Sequence, residues 1–251
     1  MYYCCAITDK GIRPHNEDAL LIHKIVLTEG VTERKLKPPF LIAVADGVSG
    51  EQSGELASEM CVKMLKDVPF SSKTDMLAVL MQIHTNLAQI GAKHQNTMNM
   101  QTTLCAVGID ERGNMHTINV GDSRLYRFRD ATLTQLSKDQ TLVQVLFDNG
   151  TITHEERRTH KHRNIIFPVI GNVSNVPKFD ISSEHQKLQP NDILLLCSDG
   201  LSDYVTDEEI NLILQNPAPL VRRLQLLLEL ADSNGSRDNI TLVALTSIEN
   251  Q

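Results

Sequence analysis

The sequence predicts an α+β domain built from two sheets with helices packed outside them. Three observations lead there. Short apolar runs rich in Ile, Leu and Val recur along the chain and are too short for helices. Most are separated by hairpin-length loops, which favours antiparallel pairing. The helical signals are few and segregated between these runs. The 251 residues, 41% hydrophobic and 22% charged, contain no repeat, low-complexity tract or linker, so a single domain over residues 1–251 is expected.

Taken in order, the first strand is expected from Tyr2 to Thr8 and the second from Ala19 to Leu27. Thr28 to Pro39, charged and ending in Pro-Pro, reads as one surface loop, and Phe40 to Ala45 as a buried strand. A helix from about Gln52 to Asp67 would place Leu56, Met60 and Met64 on one side. From Met76, the positions Leu80, Ile83, Leu87 and Ile90 recur at helical spacing and define a long helix. Strands follow over Thr103–Asp110, Met115–Val120 and Leu125–Arg129, then over Lys178–Ser183, Ile193–Cys197 and, last, Ile240–Thr246. Thr153 with Glu156 and Thr206 with Glu209 carry the capping-box spacing of helix starts, and Ser137 with Gln140 repeats it more weakly. A final helix is expected over Leu220–Ala231, after the Pro217-Ala218-Pro219 break.

Composition removes several function classes. The apolar runs fall far short of the ~18 residues that span a bilayer, and the start of the chain lacks the pattern of a secretory signal, so no membrane role and a cytoplasmic location are expected. Five cysteines without a Cys-x-x-Cys pair suit a reducing compartment better than a disulfide framework or a zinc ribbon. With 24 Lys and Arg against 31 Asp and Glu, the net charge of −7 repels phosphate backbones and argues against nucleic acid as a partner.

The informative pattern is where the acids fall. Two apolar strands end in Asp46-Gly47 and Asp199-Gly200, another is followed by Gly121-Asp122, Asp238-Asn239 precedes the last, and Asn16-Glu17-Asp18 precedes the second. A single Asp-Gly is an ordinary turn. Several acids at strand ends indicate carboxylates that repel one another unless a cation lies between them. The all-oxygen donor set favours Mg²⁺ or Mn²⁺ over zinc. Arg13, four residues before Glu17, has the planar fork that grips phosphate, with a surface ion pair as its plain alternative.

These residues resemble the metal-dependent Ser/Thr protein phosphatases of type 2C. The resemblance rests on five motifs in the family's order: Arg13-Pro14-His15-Asn16-Glu17-Asp18, Ala45-Asp46-Gly47-Val48, Gly121-Asp122-Ser123-Arg124, Cys197-Ser198-Asp199-Gly200-Leu201 and Arg237-Asp238-Asn239-Ile240-Thr241. Leu136 to Gln140, with Gly150 and Thr159 to Asn164, is similar to the flap of compact bacterial members, which implies a flap-like segment at about 138–171. The resemblance implies two stacked, mostly antiparallel sheets flanked by helices on both outer faces, an α-β-β-α sandwich. It further implies that Asp46 bridges two tightly bound Mn²⁺ or Mg²⁺ ions, that Asp199 and Asp238 hold the first, and that Glu17 with the Gly47 carbonyl holds the second. Asp122, with Asp199, matches a third and weaker metal position, and Arg13 would bind the phosphate. The implied reaction is hydrolysis of phosphoserine or phosphothreonine in proteins by a metal-bridging water, with no phosphoenzyme.

Three departures from the family pattern stand out. Val48-Ser49-Gly50 replaces the usual pair of glycines after Asp-Gly-x, Val48 lacks an imidazole proposed elsewhere as a general acid, and Ile166 to Gly171 replaces a Thr-Arg-Ala-Leu-Gly-like stretch. They keep open a phosphatase-like module that binds phosphoproteins without turnover; a two-metal hydrolase of small phosphate esters is the second alternative. The partners expected are Ser/Thr-phosphorylated proteins and a cognate Ser/Thr kinase, with the chain itself a monomer.

Overall fold

The computed structural model describes residues 1–48, 53–93, 97, 100–184 and 187–248. Ser49, Gly50 and Gln52 lie outside the described residues, so the altered glycine pair and the first residue expected in the first helix are not placed. Among the described residues, two six-stranded sheets carry the fold. The first runs in the order β4 (Gly30–Leu36), β1 (Tyr2–Asp9), β12 (Ile240–Ser247), β11 (Ile193–Cys197), β8 (Arg124–Arg129), β9 (Thr132–Gln135). The second runs β10 (Asp180–Glu184), β7 (Met115–Val120), β6 (Leu104–Ile109), β5 (Phe40–Asp46), β2 (Asp18–Ile22), β3 (Ile25–Leu27). Every pairing is antiparallel.

Three apolar layers explain the strand sequences. Cys4, Ala6, Leu20, Ile22, Ile42, Val44, Cys105, Val107, Leu194, Leu196, Val243 and Leu245 meet between the sheets. Their neighbours in sequence point the other way. Ala19, Leu21, Ala43, Ala45, Leu104 and Ala106 pack on α1 (Gly54–Lys66) and α2 (Met76–Lys93) through Cys61, Leu65, Leu80, Ile83 and Leu87. Cys5, Ile7, Leu195, Cys197, Leu242 and Ala244 pack on α6 (Asp207–Gln215) and α7 (Leu220–Ser233) through Ile210, Leu214, Leu224 and Leu227. Strands covered on both faces need no polar alternation, which is why they read as continuous apolar runs. The result is the expected α-β-β-α sandwich.

The two strong capping boxes form. The Thr153 hydroxyl accepts from Glu156 N and opens α4 (His154–Thr159), and the Thr206 hydroxyl accepts from Glu209 N and opens α6. The weaker one does not. Ser137 Oγ instead accepts from Leu125 N at 2.9 Å, and Thr141 caps α3 (Leu142–Asp148). Two strand expectations also change. Ala19 to Leu27 is a hairpin, β2 and β3, broken at His23, whose φ is 55°. Thr28 to Pro39 is not all loop, because β4 pairs along β1 from Gly30 to Leu36. It turns only Thr32 and Leu36 into a buried environment and leaves Glu33, Arg34 and Lys35 exposed on a sheet edge. No helix among the described residues is long and apolar enough to cross a membrane.

Candidate metal and phosphate site

The strand register gathers the acids at one end of the sandwich. In the second sheet, antiparallel pairing sets the end of β5 beside the start of β2, with Asp46 opposite Asp18. Asp122 follows the end of β7, whose neighbour β6 begins at that same end. In the first sheet, the end of β11 lies beside the start of β12, which brings Asp199 and Asp238 to the corresponding end. Asp199 opens the short helix α5 (Asp199–Ser202). Hydrogen bonds then lock the two sheets together at this pole. Ser198 Oγ donates to Asp18 Oδ2 at 2.8 Å, and Glu17 N donates to Asn239 Oδ1 at 2.7 Å.

Close backbone approach shapes the loop after β5. Gly47 N donates to Glu17 O at 3.0 Å, and a Cβ on Gly47 would lie 2.2 Å from Gly54 O. Only glycine lets the start of α1 close over this turn. Ser58, one turn into α1, donates its hydroxyl to the same Glu17 carbonyl at 2.5 Å.

The electrostatics are those of a cation site. Burial drives the Asp46 and Asp199 carboxyls well above the usual carboxylate range, and neighbouring acids push both further. Asp46 feels Asp18, Asp199, Asp122 and Asp238, and Asp199 feels Asp122, Asp203, Asp238 and Asp18. Burial lifts Asp122 to about 7, with help from Asp139 and Asp203. Asp18 also rises to about 7, chiefly by burial, although hydrogen bonds from Thr241 and Ser198 oppose the rise. Its Oδ1 is buried without a hydrogen-bond partner among the described residues. Among the described residues, no three Asp, Glu, His or Cys side chains close on a common point as a finished metal cage. What favours a cation is the donor chemistry: an all-oxygen set, acids raised by desolvation and by neighbouring acids, and an orphaned carboxylate oxygen suit a hard divalent ion.

Arg13 reaches this pole from the loop after β1. Its Nη2 donates to Asp238 Oδ2 at 2.9 Å and its Nε to Arg237 O at 2.8 Å. Here the arginine makes the ion pair that the sequence offered as its plain alternative, and Nη1 has no partner among the described residues. Asp122 and Asp199 line a cavity together with Arg157, Arg158, Arg163 and Asp203. Arg163 Nε lies 3.5 Å from Asp203 Oδ2. Asp203 escaped the sequence reading, though its position four residues after Asp199 is the spacing that puts both on one helical face. A buried Arg124–Asp139 pair, 2.7 Å apart, borders the same cavity. The five cysteines are buried with free thiols, and burial pushes Cys61 and Cys197 up to about 12, which leaves no ready thiolate nucleophile.

The family profile described as Protein phosphatase 2C matches residues 29–242. The chain belongs to the protein phosphatase 2C family. The serine/threonine phosphatase stp of Listeria welshimeri is 33% identical over 247 residues, spanning 94% of this chain and 92% of that protein. PstP of Mycobacterium tuberculosis, a serine/threonine protein phosphatase, is 35% identical over 83% of this chain and 40% of its own length. A solved serine/threonine phosphatase of S. agalactiae superposes with a TM-score of 0.85 at 28% identity, covering 99% of this chain and all of that one. The catalytic domain of PstP, solved with two manganese ions, gives 0.76 at 32% identity over 99% of this chain and 100% of that chain. This chain is an enzyme, a metal-dependent protein Ser/Thr phosphatase.

Proposed function

We propose that the carboxylate pole is the active site and that it hydrolyses phosphoserine and phosphothreonine in proteins with two tightly held Mn²⁺ or Mg²⁺ ions and a third, weaker one. Asp46 would lie between the two tight ions, Asp199 and Asp238 would hold the first, and Glu17 with the Gly47 carbonyl the second. Asp122, with Asp199, would hold the third. Bound there, the ions supply a nucleophilic water of lowered pKa and neutralise charge on the phosphoryl oxygens. The chain's own residues do the rest. Ser198 and Asn239 hold Asp18 and Glu17 in place, and Arg13 presents a guanidinium edge to the phosphate while its other edge stays on Asp238.

The observation that carries this reading is the convergence at one pole of Asp46 and Asp122 from one sheet and Asp199 and Asp238 from the other, with the carboxyls of Asp46, Asp122 and Asp199 all raised, chiefly by desolvation and further by neighbouring acids. A cognate Ser/Thr kinase as a partner, a monomeric state and a cytoplasmic location complete the proposal. The test is phosphate release from a phosphothreonine peptide and from a nucleotide, each with Mn²⁺ or with chelator. Release from the peptide that needs Mn²⁺ supports the reading. Turnover that persists in chelator overturns it, and preference for the nucleotide favours a hydrolase of small phosphate esters.

A further inference from the structure

Between α2 and β6, the dipeptide Thr102-Thr103 is buried and hydrogen-bonds both to the end of β5 and to the loop that carries Asp122. Thr103 N donates to Asp46 O at 2.8 Å, as an antiparallel ladder requires. The return bond is different. Asp46 N donates to the Thr103 hydroxyl at 3.0 Å, not to its carbonyl. That hydroxyl is also 2.8 Å from Ser123 Oγ, the residue after Asp122. The displaced Thr103 carbonyl accepts from the Thr102 hydroxyl at 3.0 Å, and the same Thr102 hydroxyl lies 2.9 Å from Asp46 O. A side-chain oxygen thus stands in for a backbone carbonyl where β5 ends, and one atom touches both the Asp46 backbone and the Asp122 loop.

We infer that Thr103 is a positioning residue for the metal site: its hydroxyl sets Asp46 against the Asp122 loop. The inference rests on the site reading given above. Ser123 is fully buried, and Gly121, with φ of +100°, would place a Cβ 2.7 Å from the Thr103 methyl, so the loop carrying Asp122 packs directly on the Thr103 side chain. Removing the hydroxyl leaves the Asp46 amide without an acceptor inside the fold. Asp46, at the end of β5, is then free to shift relative to the Asp122 loop.

The test uses the full chain, freed of metal and titrated calorimetrically with Mn²⁺ alone. Thr103→Val keeps the shape and deletes the hydroxyl. It is expected to weaken Mn²⁺ binding by at least about tenfold, as loss of a group supporting metal ligands does. It should also raise the Mn²⁺ concentration for half-maximal turnover more than it lowers turnover at saturating metal. Thr103→Ser restores the hydroxyl and is expected to restore binding. Ser123→Ala, which leaves the Asp46 amide satisfied, is expected to weaken Mn²⁺ binding by a smaller factor at unchanged thermal stability. Mn²⁺ affinity of Thr103→Val equal to that of the unaltered protein overturns the inference, as does Thr103→Ser binding as poorly as Thr103→Val. Should Thr103→Val not fold, unchanged Mn²⁺ affinity in Ser123→Ala overturns it. Asp199→Asn separates the two levels. Normal Mn²⁺ binding by Asp199→Asn removes the site reading itself, whereas impaired binding there beside normal binding in Thr103→Val removes only the role of Thr103.

Discussion

Replacing Asp18 by Asn removes one part of the pH dependence that the acidic pole imposes on the metal-free protein. Asp18 is buried and ordinarily would titrate near 3.8, yet in the fold it titrates at about 7. Because the folded value lies above the unfolded one, the fold favours the protonated acid. This contribution is fully present below the unfolded pKa and is lost as pH rises through about 7. The elevation corresponds to on the order of 4 kcal/mol at pH 8 as an upper bound, since neighbouring acids titrate with it. Asn keeps the shape, accepts the Ser198 hydroxyl with its carbonyl oxygen, and has no proton to lose. Thermal unfolding of chelator-treated protein between pH 5 and pH 8 measures the effect. The Tm of the unaltered chain is expected to fall relative to Asp18→Asn, by up to roughly 10 °C at pH 8 for a domain of this size. Mn²⁺ is expected to raise the Tm of the unaltered chain more at pH 8 than at pH 5, because at pH 5 it must displace protons. Parallel Tm profiles of the two proteins across this range would refute the reasoning.

Four further outcomes are expected. Asp46→Asn or Asp199→Asn preserves shape but removes charge from the ions, so turnover with a phosphothreonine peptide should fall by at least ~10²-fold, with Mn²⁺ binding weakened in parallel. Arg13→Ala should raise KM for phosphopeptide by roughly tenfold or more through lost charge-assisted hydrogen bonds; loss of bound metal at unchanged KM would mean that the Asp238 pair is its whole role. Asp122→Ala should leave two Mn²⁺ ions tightly bound while turnover falls, so retained turnover with two ions would end the third-ion assignment. A variant with all five cysteines changed to Ser or Ala, if folded, should remain active, and a trapped phosphocysteine would contradict it.

Much of this fold is written in local sequence because both faces of most strands are buried. Phe40 to Ala45 and Ile193 to Cys197 carry no polar residue, and their terminal acids stand out against them. The capping boxes at Thr153 and Thr206 are equally local and form as expected. What escapes is the sheet edge. β4 and β9 each pair on one side only and carry Glu33, Arg34, Lys35, Thr132 and Thr134 outward, so hydrophobic periodicity has little to register. At the site the acids were legible because their charge is unusual at the end of an apolar strand. Thr102 and Thr103 were not, since a hydroxyl that replaces a backbone acceptor looks, in sequence, like any β-branched residue in a strand.

The stretch from Ile166 to Gly171, where the chain departs from its family's pattern, is tied to the same dipeptide from the other side. Thr102 and Ile170 exchange backbone hydrogen bonds at 3.0 and 3.1 Å, while Thr102 also bridges to Gly47. Val169 and Ile170 are buried in the layer beneath α2. Gly171, with φ of +92°, leaves room for Met100 O, which would be 2.0 Å from a Cβ there, and its amide donates to His84 Nδ1 on α2 at 3.2 Å. The substituted residues therefore act as an anchor whose requirement is apolar volume and one left-handed glycine. A run of different apolar residues meets that requirement without moving Asp46, because the anchor and the carboxylate are held by separate atoms of Thr102 and Thr103. Outward from the anchor, Ile165 and Phe167 are exposed, and their backbones bond to Leu142, His162 and Gln140. Sequence change in this segment alters the surface shown beside the carboxylate pole while leaving its acids under the control of the sandwich.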